Sequence, residues 1–202
     1  LSDGCIASYA SDPSFGVMSR DTTLRIWDGQ SGEMLQVLDG HTGPIAGVIE
    51  WPNGELLTWS IDGTLRRWDR TVAARFGRLE NHNAPVGGTQ AISPHRIVSW
   101  SQDPSLRMWG DQGQPLAILS GHTDSVSDAH VLGTSLILSR SGGDHTLRLW
   151  DSTTGQERAT LTGHTAWVRG ACPIRNGRIL SWSADHTVRI WDDKTGAELA
   201  NL

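Results

Sequence analysis

The chain is nearly devoid of lysine, since 16 of its 17 basic residues are arginine and Lys194 is the exception. It also has only two cysteines, one tyrosine and two phenylalanines among 202 residues. Cys5 and Cys172 form no CxxC pair, which excludes a cysteine-built zinc site and a disulfide-stapled secreted scaffold. No run approaches the roughly 20 apolar residues of a membrane helix, so no membrane association is expected. There is no N-x-[ST] sequon and no secretory leader pattern. The chain does not begin with Met, so a processed product or a piece of something longer is expected, with a cytoplasmic setting as the default. A net charge of −5 argues against a nucleic-acid partner gripped through a basic surface. Apolar residues at 37%, together with 23 glycines, match an ordinary globular domain and exclude disorder. Length alone allows one domain or two.

Against these scarcities stand 10 tryptophans. So lopsided an aromatic set suggests one local environment copied several times, and the spacing supports this. Trp27, Trp68, Trp109, Trp150 and Trp191 follow one another at 41 residues each time. Asp21, Asp62, Asp103, Asp144 and Asp185 keep the same step, six residues before each Trp. Arg25, Arg66, Arg107, Arg148 and Arg189 recur two residues before it. Five copies of one unit account for nearly the whole chain.

Within a unit the punctuation predicts antiparallel strands. Ile45–Glu50 precedes a turn at Pro52-Asn53-Gly54, Glu55–Ser60 runs into Asp62-Gly63, a third strand reaches Trp68-Asp69, and Met34–Leu38 exemplifies a fourth. No window shows the 3.6-residue period of a long helix. Four short strands per unit is the make-up of a propeller blade.

Gly40-His41, Gly121-His122 and Gly163-His164 recur beside Trp27-Asp28, Trp68-Asp69, Trp150-Asp151 and Trp191-Asp192. With these motifs in register the chain resembles the WD-repeat (WD40-type) β-propeller family over about its whole length. The third unit departs from the pattern, with Asn81-His82 and Trp109-Gly110. The resemblance implies an all-β fold: a β-propeller of five 41-residue, four-stranded antiparallel blades in a single array over 1–202. The blades fall at approximately 1–40, 41–81, 82–121, 122–163 and 164–202. It also implies structural hydrogen-bond sets of His, hydroxyl, Asp and Trp. These are His41-Thr58-Asp62-Trp68, His82-Ser99-Asp103-Trp109, His122-Ser139-Asp144-Trp150 and His164-Ser181-Asp185-Trp191. The fourth unit has one extra residue near Gly142-Gly143. The first unit places Val17 at the hydroxyl position and has no His, so its set is expected to be incomplete.

His, Ser and Asp together also compose a catalytic triad. Their recurrence in unit after unit points to scaffolding, and no catalytic residue is assigned. The recurring Arg is expected to lay its stem between blades while its guanidinium meets a carboxylate. Trp59, Trp100 and Trp182 share an x-Trp-Ser-x-Asp segment and are expected in inter-blade packing. Trp51 and Trp167 stand outside both Trp series.

Where the repeats disagree, positions are free to specialise. Trp167 and Arg169, residue types favoured as interface anchors, lead the candidates for partner binding, followed by Arg20, Gln102, Asp128 and Arg140. His145 and His186 lie 41 apart at equivalent turns, but no Cys or carboxylate cluster accompanies them and no metal is expected. Ser141-Gly142-Gly143-Asp144 lacks the Lys and helix of a phosphate loop, and no cofactor is expected.

By phase, the five units run from a first strand after an absent His to Leu202 at the end of a last strand. Three outcomes follow: a closed five-bladed ring, part of a larger propeller, or blades completed across subunits by self-association. The resemblance implies a non-catalytic scaffold presenting loops to a protein or peptide partner. The alternatives are an assembly or sensor segment of a larger multidomain protein and, least favoured, an enzyme with a channel-mouth site.

Overall fold

The structure, a computed structural model, describes residues 1–10, 21–51, 54–70, 75–80 and 82–202. Every element among them is a strand, so the all-β expectation holds. The chain divides into two compact units, Leu1–Gly88 and Thr89–Leu202.

The first unit carries two sheets. One has the order β1 (Ile6–Tyr9), β2 (Leu24–Trp27), β3 (Met34–Leu38), and the other β4 (Ile45–Glu50), β5 (Leu56–Ser60), β6 (Thr64–Trp68), β7 (Arg75–Glu80). The second unit is built on three four-stranded sheets. These are β8 (Val86–Ser93) to β11 (Pro115–Ser120) through β9 (Arg96–Ser101) and β10 (Ser105–Gly110), then β12 (Val126–Leu132), β13 (Leu136–Ser141), β14 (Leu147–Asp151), β15 (Glu157–Leu161). The last holds β16 (Val168–Ile174), β17 (Arg178–Ser183), β18 (Val188–Asp192) and β19 (Glu198–Asn201). Each is a simple meander, as short loops between alternating strands dictate.

Each packing junction within a unit repeats one pattern. Leu24, Ile26 and Leu38 meet Ile45, Leu56 and Trp68 of the next sheet. Val98, Leu106, Met108 and Leu119 meet Val126, Ala129, Ile137 and Trp150. Leu138, Leu147, Leu149 and Leu161 meet Val168, Ala171, Ile179 and Trp191. A branched aliphatic from the second strand and the third-strand Trp therefore supply the following side of every junction. Trp51, outside the two series, is also buried.

The first sheet corrects one sequence expectation. Ile6 pairs with Trp27 and Ser8 with Arg25, as Ile179 pairs with Trp191 and Ser181 with Arg189. β1 is thus the counterpart of a second strand, and Trp27 Nε1 donates to Ser8 Oγ at 2.7 Å. Ser8 takes the hydroxyl place that a strict 41-residue step gives to Val17, which lies outside the described residues. Thirteen positions separate Ser8 from Asp21, against four from Thr58 to Asp62. The extra length between β1 and β2 breaks the step, so the five units are not uniform from first strand to last.

The Trp109-Gly110 departure has a local cause. Where Asp follows Trp, its carboxylate accepts from the amides two and three residues on. Asp151 Oδ1 takes Thr153 N at 2.8 Å and Thr154 N at 2.9 Å, and Asp192 Oδ1 takes Lys194 N and Thr195 N at 3.0 and 2.8 Å. A glycine at positive φ, Gly155 at 74° or Gly196 at 72°, closes that loop. After Trp109 the closing glycine, Gly113, comes one residue sooner, and Gly110 N donates to Gln114 O at 3.0 Å. In the shorter loop Gln112 N donates to Gln114 Oε1 at 3.0 Å and Gly113 N to Gly110 O at 2.9 Å, so both amides are met without an Asp.

Candidate functional site

The repeated polar sets form continuous chains of hydrogen bonds. Trp191 Nε1 donates to Ser181 Oγ at 2.8 Å, Ser181 Oγ lies 2.8 Å from His164 Nε2, and His164 Nδ1 lies 2.9 Å from Asp185 Oδ2. In the preceding sheet Trp150, Ser139, His122 and Asp144 repeat this at 2.8, 2.8 and 2.7 Å. Trp68, Thr58, His41 and Asp62 do so at 2.9, 2.8 and 2.9 Å. A carboxylate only accepts, so His Nδ1 carries the proton. Nε2 then accepts from the hydroxyl, which itself accepts from the indole. Ser99 takes the Trp109 donor at 2.8 Å, and His82, Ser99 and Asp103 are all buried.

The turn aspartates Asp62, Asp144 and Asp185 are held ionised. Burial opposes the charge, but donors from Thr64, the Thr42 amide and His41 bring the Asp62 carboxyl down to about 2. Asp144 reaches about 2 against the same burial, through His122 and Thr146. Asp185 is lowered likewise by Thr187, the Thr165 amide and His164. In the first sheet, which has no His, Arg25 Nη1 donates to Asp21 Oδ2 at 2.7 Å.

These sets are unsuited to nucleophilic catalysis despite their triad composition. Thr58 and Ser181 are 0% exposed, and each hydroxyl is engaged by an indole on one side and an imidazole on the other. No substrate carbonyl can reach a group so enclosed.

Sequence reasoning missed the serine after the second-strand Trp, although its x-Trp-Ser-x-Asp context was the signal. Ser60 Oγ reaches Gly43 O and Pro44 O at 2.9 and 2.8 Å while accepting Asp62 N at 3.0 Å. Ser183 Oγ donates to Ala166 O at 2.9 Å and accepts Asp185 N at 3.1 Å. These serines tie the loop after the His to the turn bearing the Asp.

Besides Arg25 with Asp21, the recurring Arg meets a carboxylate in the last two sheets: Arg148 with Glu157 and Arg189 with Glu198. Both guanidinium groups lie against the glycine of Gly-His, so a Cβ at Gly121 or Gly163 would strike them. Glycine there lets the guanidinium group approach the backbone closely.

Two of the second-strand tryptophans depart from the inter-blade expectation. Trp59 lies flat on Gly47 and Trp182 on Gly170, each its cross-strand neighbour within one sheet. Only glycine leaves room for the ring, and Trp182 stays 40% exposed. Trp100, by contrast, is buried in the junction core.

In the fourth sheet this Trp/Gly pair is replaced by Arg140 opposite Asp128. Arg140 Nη2 lies 3.7 Å from Asp128 Oδ2, and Nη1 donates to Val168 O of the next sheet at 3.1 Å. His130 Nε2 lies 3.4 Å from the same carboxylate. Hydrogen bonding to Asp128 raises the His130 pKa against the pull of burial. Two candidate binding residues are thus joined to each other as a strut.

Trp167 sits beside this strut. Its indole rests on the backbone of Gly142, where a Cβ would overlap the ring, and the Asp124 carboxylate covers Gly143 in the same way. The glycine pair at the one-residue insertion is therefore flanked by two side chains from loops that follow a His. Trp167 is still 60% exposed, and Arg169 is exposed two residues on. Gln102 is exposed at its own turn, and Arg20 lies outside the described residues. His145 and His186 adopt positive φ, 62° and 67°, where the second sheet uses Gly63 at 79°. No cluster of three metal-ligating side chains occurs among the described residues.

Repeated four-stranded meanders, joined by the same Trp-capped junction and stitched by the same polar set, define a β-propeller repeat protein. The chain belongs to the WD40 family: its profile (WD domain, G-beta repeat) matches residues 32–69, 113–151 and 155–192, more than half of the chain. The nuclear distribution protein PAC1 of Coccidioides posadasii is 29% identical over 185 residues, covering 87% of this chain and 31% of its own. PAC1-2 of Uncinocarpus reesii is 32% identical over 184 residues, with 87% and 32% covered. The chain thus spans about a third of the length of these curated relatives. Among solved structures, the computationally designed Ika8 protein superposes with a TM-score of 0.78 at 24% identity, over 98% of this chain and 58% of its own. The WD40 β-propeller domain of Doa1 gives 0.62 at 25% identity, over 90% and 61%.

Proposed function

We propose that the chain is a non-catalytic interaction module, a propeller array over 1–202 whose blade loops grip a protein or peptide. The observation that carries this is Trp167: a large indole, 60% exposed, braced on Gly142 at the one place where the fourth repeat has an added residue. A rigid aromatic loses little entropy on binding and buries much area, which suits an anchor. Arg169 beside it supplies a donor for backbone carbonyls or acidic side chains. Asp128 and Arg140 act here as supports rather than contacts, because they pair with each other across the strands. Membership of a family of interaction scaffolds supports the reading. Cys5 and Cys172 are both free thiols, in keeping with a cytoplasmic setting.

The test is selection of peptides from a display library on the wild-type chain, followed by fluorescence anisotropy titration. Trp167→Ala is expected to weaken the selected peptides at least tenfold, an ordinary loss for an interface anchor of about 1.4 kcal/mol or more. Arg169→Ala is expected to weaken them less. Peptides that bind the Trp167→Ala chain as tightly as wild type contradict the proposed site.

A further inference from the structure

Three departures from the repeat pattern converge on one spot, at the turns of the fourth and fifth sheets. Two residues after the recurring His stand Gly43, Ala84 and Ala166, but the fourth sheet has Asp124. Just before the turn Asp stand Ile61, Gln102 and Ala184, but the fourth sheet has Gly143, preceded by Gly142 at the added residue. Three residues after the His stand Pro44, Pro85 and Ser125, but the fifth sheet has Trp167. In the second sheet the Ile61 side chain packs on Gly43. In the fourth the sizes are exchanged, and Asp124 leans over Gly143 with Oδ2 foremost, while the pyrrole edge of Trp167 covers Gly142. The glycine pair is thus a bare backbone floor with a carboxylate at one end and an indole at the other. Consecutive Cα atoms are about 3.8 Å apart, so one side chain of a ligand can touch both walls.

Both walls are held in place. Thr123 N donates to Asp144 Oδ2 at 3.1 Å and Ser125 N to Asp124 Oδ1 at 2.6 Å, one on each side of the acid. Ala184 N donates to Trp167 O at 2.9 Å, which ties the indole's backbone to its own sheet. The Oδ2 atoms of Asp128, Asp144, Asp151 and Asp185 each face an imidazole or a guanidinium. Asp124 Oδ2 has no hydrogen bond or ion pair among the described residues.

We propose that this slot takes a cation: a basic side chain of an extended peptide, arginine foremost, lays its guanidinium on the Trp167 ring and pairs it with Asp124. The slot rests on the reading of Trp167 as the binding anchor and adds the charge of what that anchor holds. An exposed indole face attracts a cation, and a planar guanidinium stacks on it while donating to a carboxylate alongside. A net charge of −5 draws basic segments towards the chain. Arg169, exposed two residues beyond Trp167, confines the preference to the slot and favours a carbonyl or an acid further along the peptide.

The probes are three pentapeptides, acetyl-Gly-Gly-X-Gly-Gly-amide, with arginine, citrulline or glutamate as X. Citrulline keeps the shape of arginine without its charge. Each is titrated into the whole chain while NMR follows the Trp167 indole N–H, assigned through Trp167→Phe. The arginine peptide is expected to move this signal saturably, and the citrulline peptide to bind at least about fivefold more weakly. Asp124→Asn is expected to bring the arginine peptide down to the affinity of the citrulline peptide and to leave the latter unchanged. Asparagine keeps an oxygen for the Ser125 amide, and unchanged circular dichroism and melting temperature check the fold. A Trp167 signal unmoved by the arginine peptide overturns the cation slot. So does equal affinity for the arginine and citrulline peptides, an arginine affinity indifferent to Asp124→Asn, or tighter binding of the glutamate peptide. The anchor role of Trp167 is judged separately, and falls only if display-selected peptides bind Trp167→Ala as tightly as wild type.

Discussion

Ser8 Oγ accepts the indole proton of Trp27 at 2.7 Å across 19 residues of chain, a bond that Ser181 and Trp191 make across 10. The contact survives an interruption of the repeat because strand pairing, not residue count, sets which side chains meet. Ser8→Ala should leave a half-buried indole N–H without its partner and cost about 1–2 kcal/mol. Urea unfolding of the variant against wild type measures it. A change below a few tenths of a kcal/mol would remove Ser8 from the set.

The turn aspartates predict sensitivity to acid. Asp62 and Asp144 have folded values of about 2 against 3.8 in the unfolded chain. A depressed folded value means stability that is complete above pH 4 and is lost as pH falls towards 2. Each group contributes about 2 kcal/mol of that dependence. Thermal unfolding from pH 7 to pH 2 should show the drop confined to this window. Asp144→Asn should start lower at pH 7 and fall less steeply.

His145 and His186 occupy a backbone region that costs a side-chain-bearing residue about 1–2 kcal/mol. Glycine removes that strain but adds about 0.5–1 kcal/mol of entropy cost, so His186→Gly should stabilise by about 0.5 kcal/mol. Denaturant midpoints at matched slope give the answer. A destabilisation of 1 kcal/mol or more would mean that the imidazole makes a compensating contact.

Gly47 and Gly170 lie directly beneath indole rings. Gly47→Ala should force Trp59 from its seat and cost about 1–3 kcal/mol, whereas the same change at a glycine with open space costs only its backbone term. Gly133, with nothing near its Cβ position, has a φ of 58° and serves as the strained but uncrowded control. A loss at Gly47 below about 0.5 kcal/mol would show that the ring is not the obstacle.

Much of the fold and of its polar sets is legible in the amino-acid sequence. The 41-residue step of Trp, Asp and Arg locates the third strand and the polar sets of the second, fourth and fifth sheets, because each contact joins positions at fixed short separations. Three features are not legible there, each for a physical reason. Ser8 is hidden because a lengthened connection moves a strand without changing the motif that follows it. The seats of Trp59 and Trp182 are hidden because a bulge between first and second strands decides which residue faces the ring, and register shifts at Ile45/Gly47 and Val168/Gly170 do that here. Asp128 and Arg140 look like specialised surface residues because their sequence positions differ from the other repeats. Their cross-strand pairing puts them at the place that the Trp/Gly pair takes in the second and fifth sheets. Trp167 is legible as an oddity, but its seat on the inserted Gly142 depends on a neighbouring sheet.

The proposed division of labour, repeated tryptophans that build the fold and Trp167 as the binding anchor, is tested most directly by fluorine NMR of the fluorotryptophan-labelled chain. Trp167→Phe assigns its resonance, and a display-selected peptide is then titrated in. The Trp167 signal should shift with occupancy, while those of Trp68, Trp150 and Trp191 remain in place. A peptide that binds while the Trp167 signal stays unmoved would contradict the account.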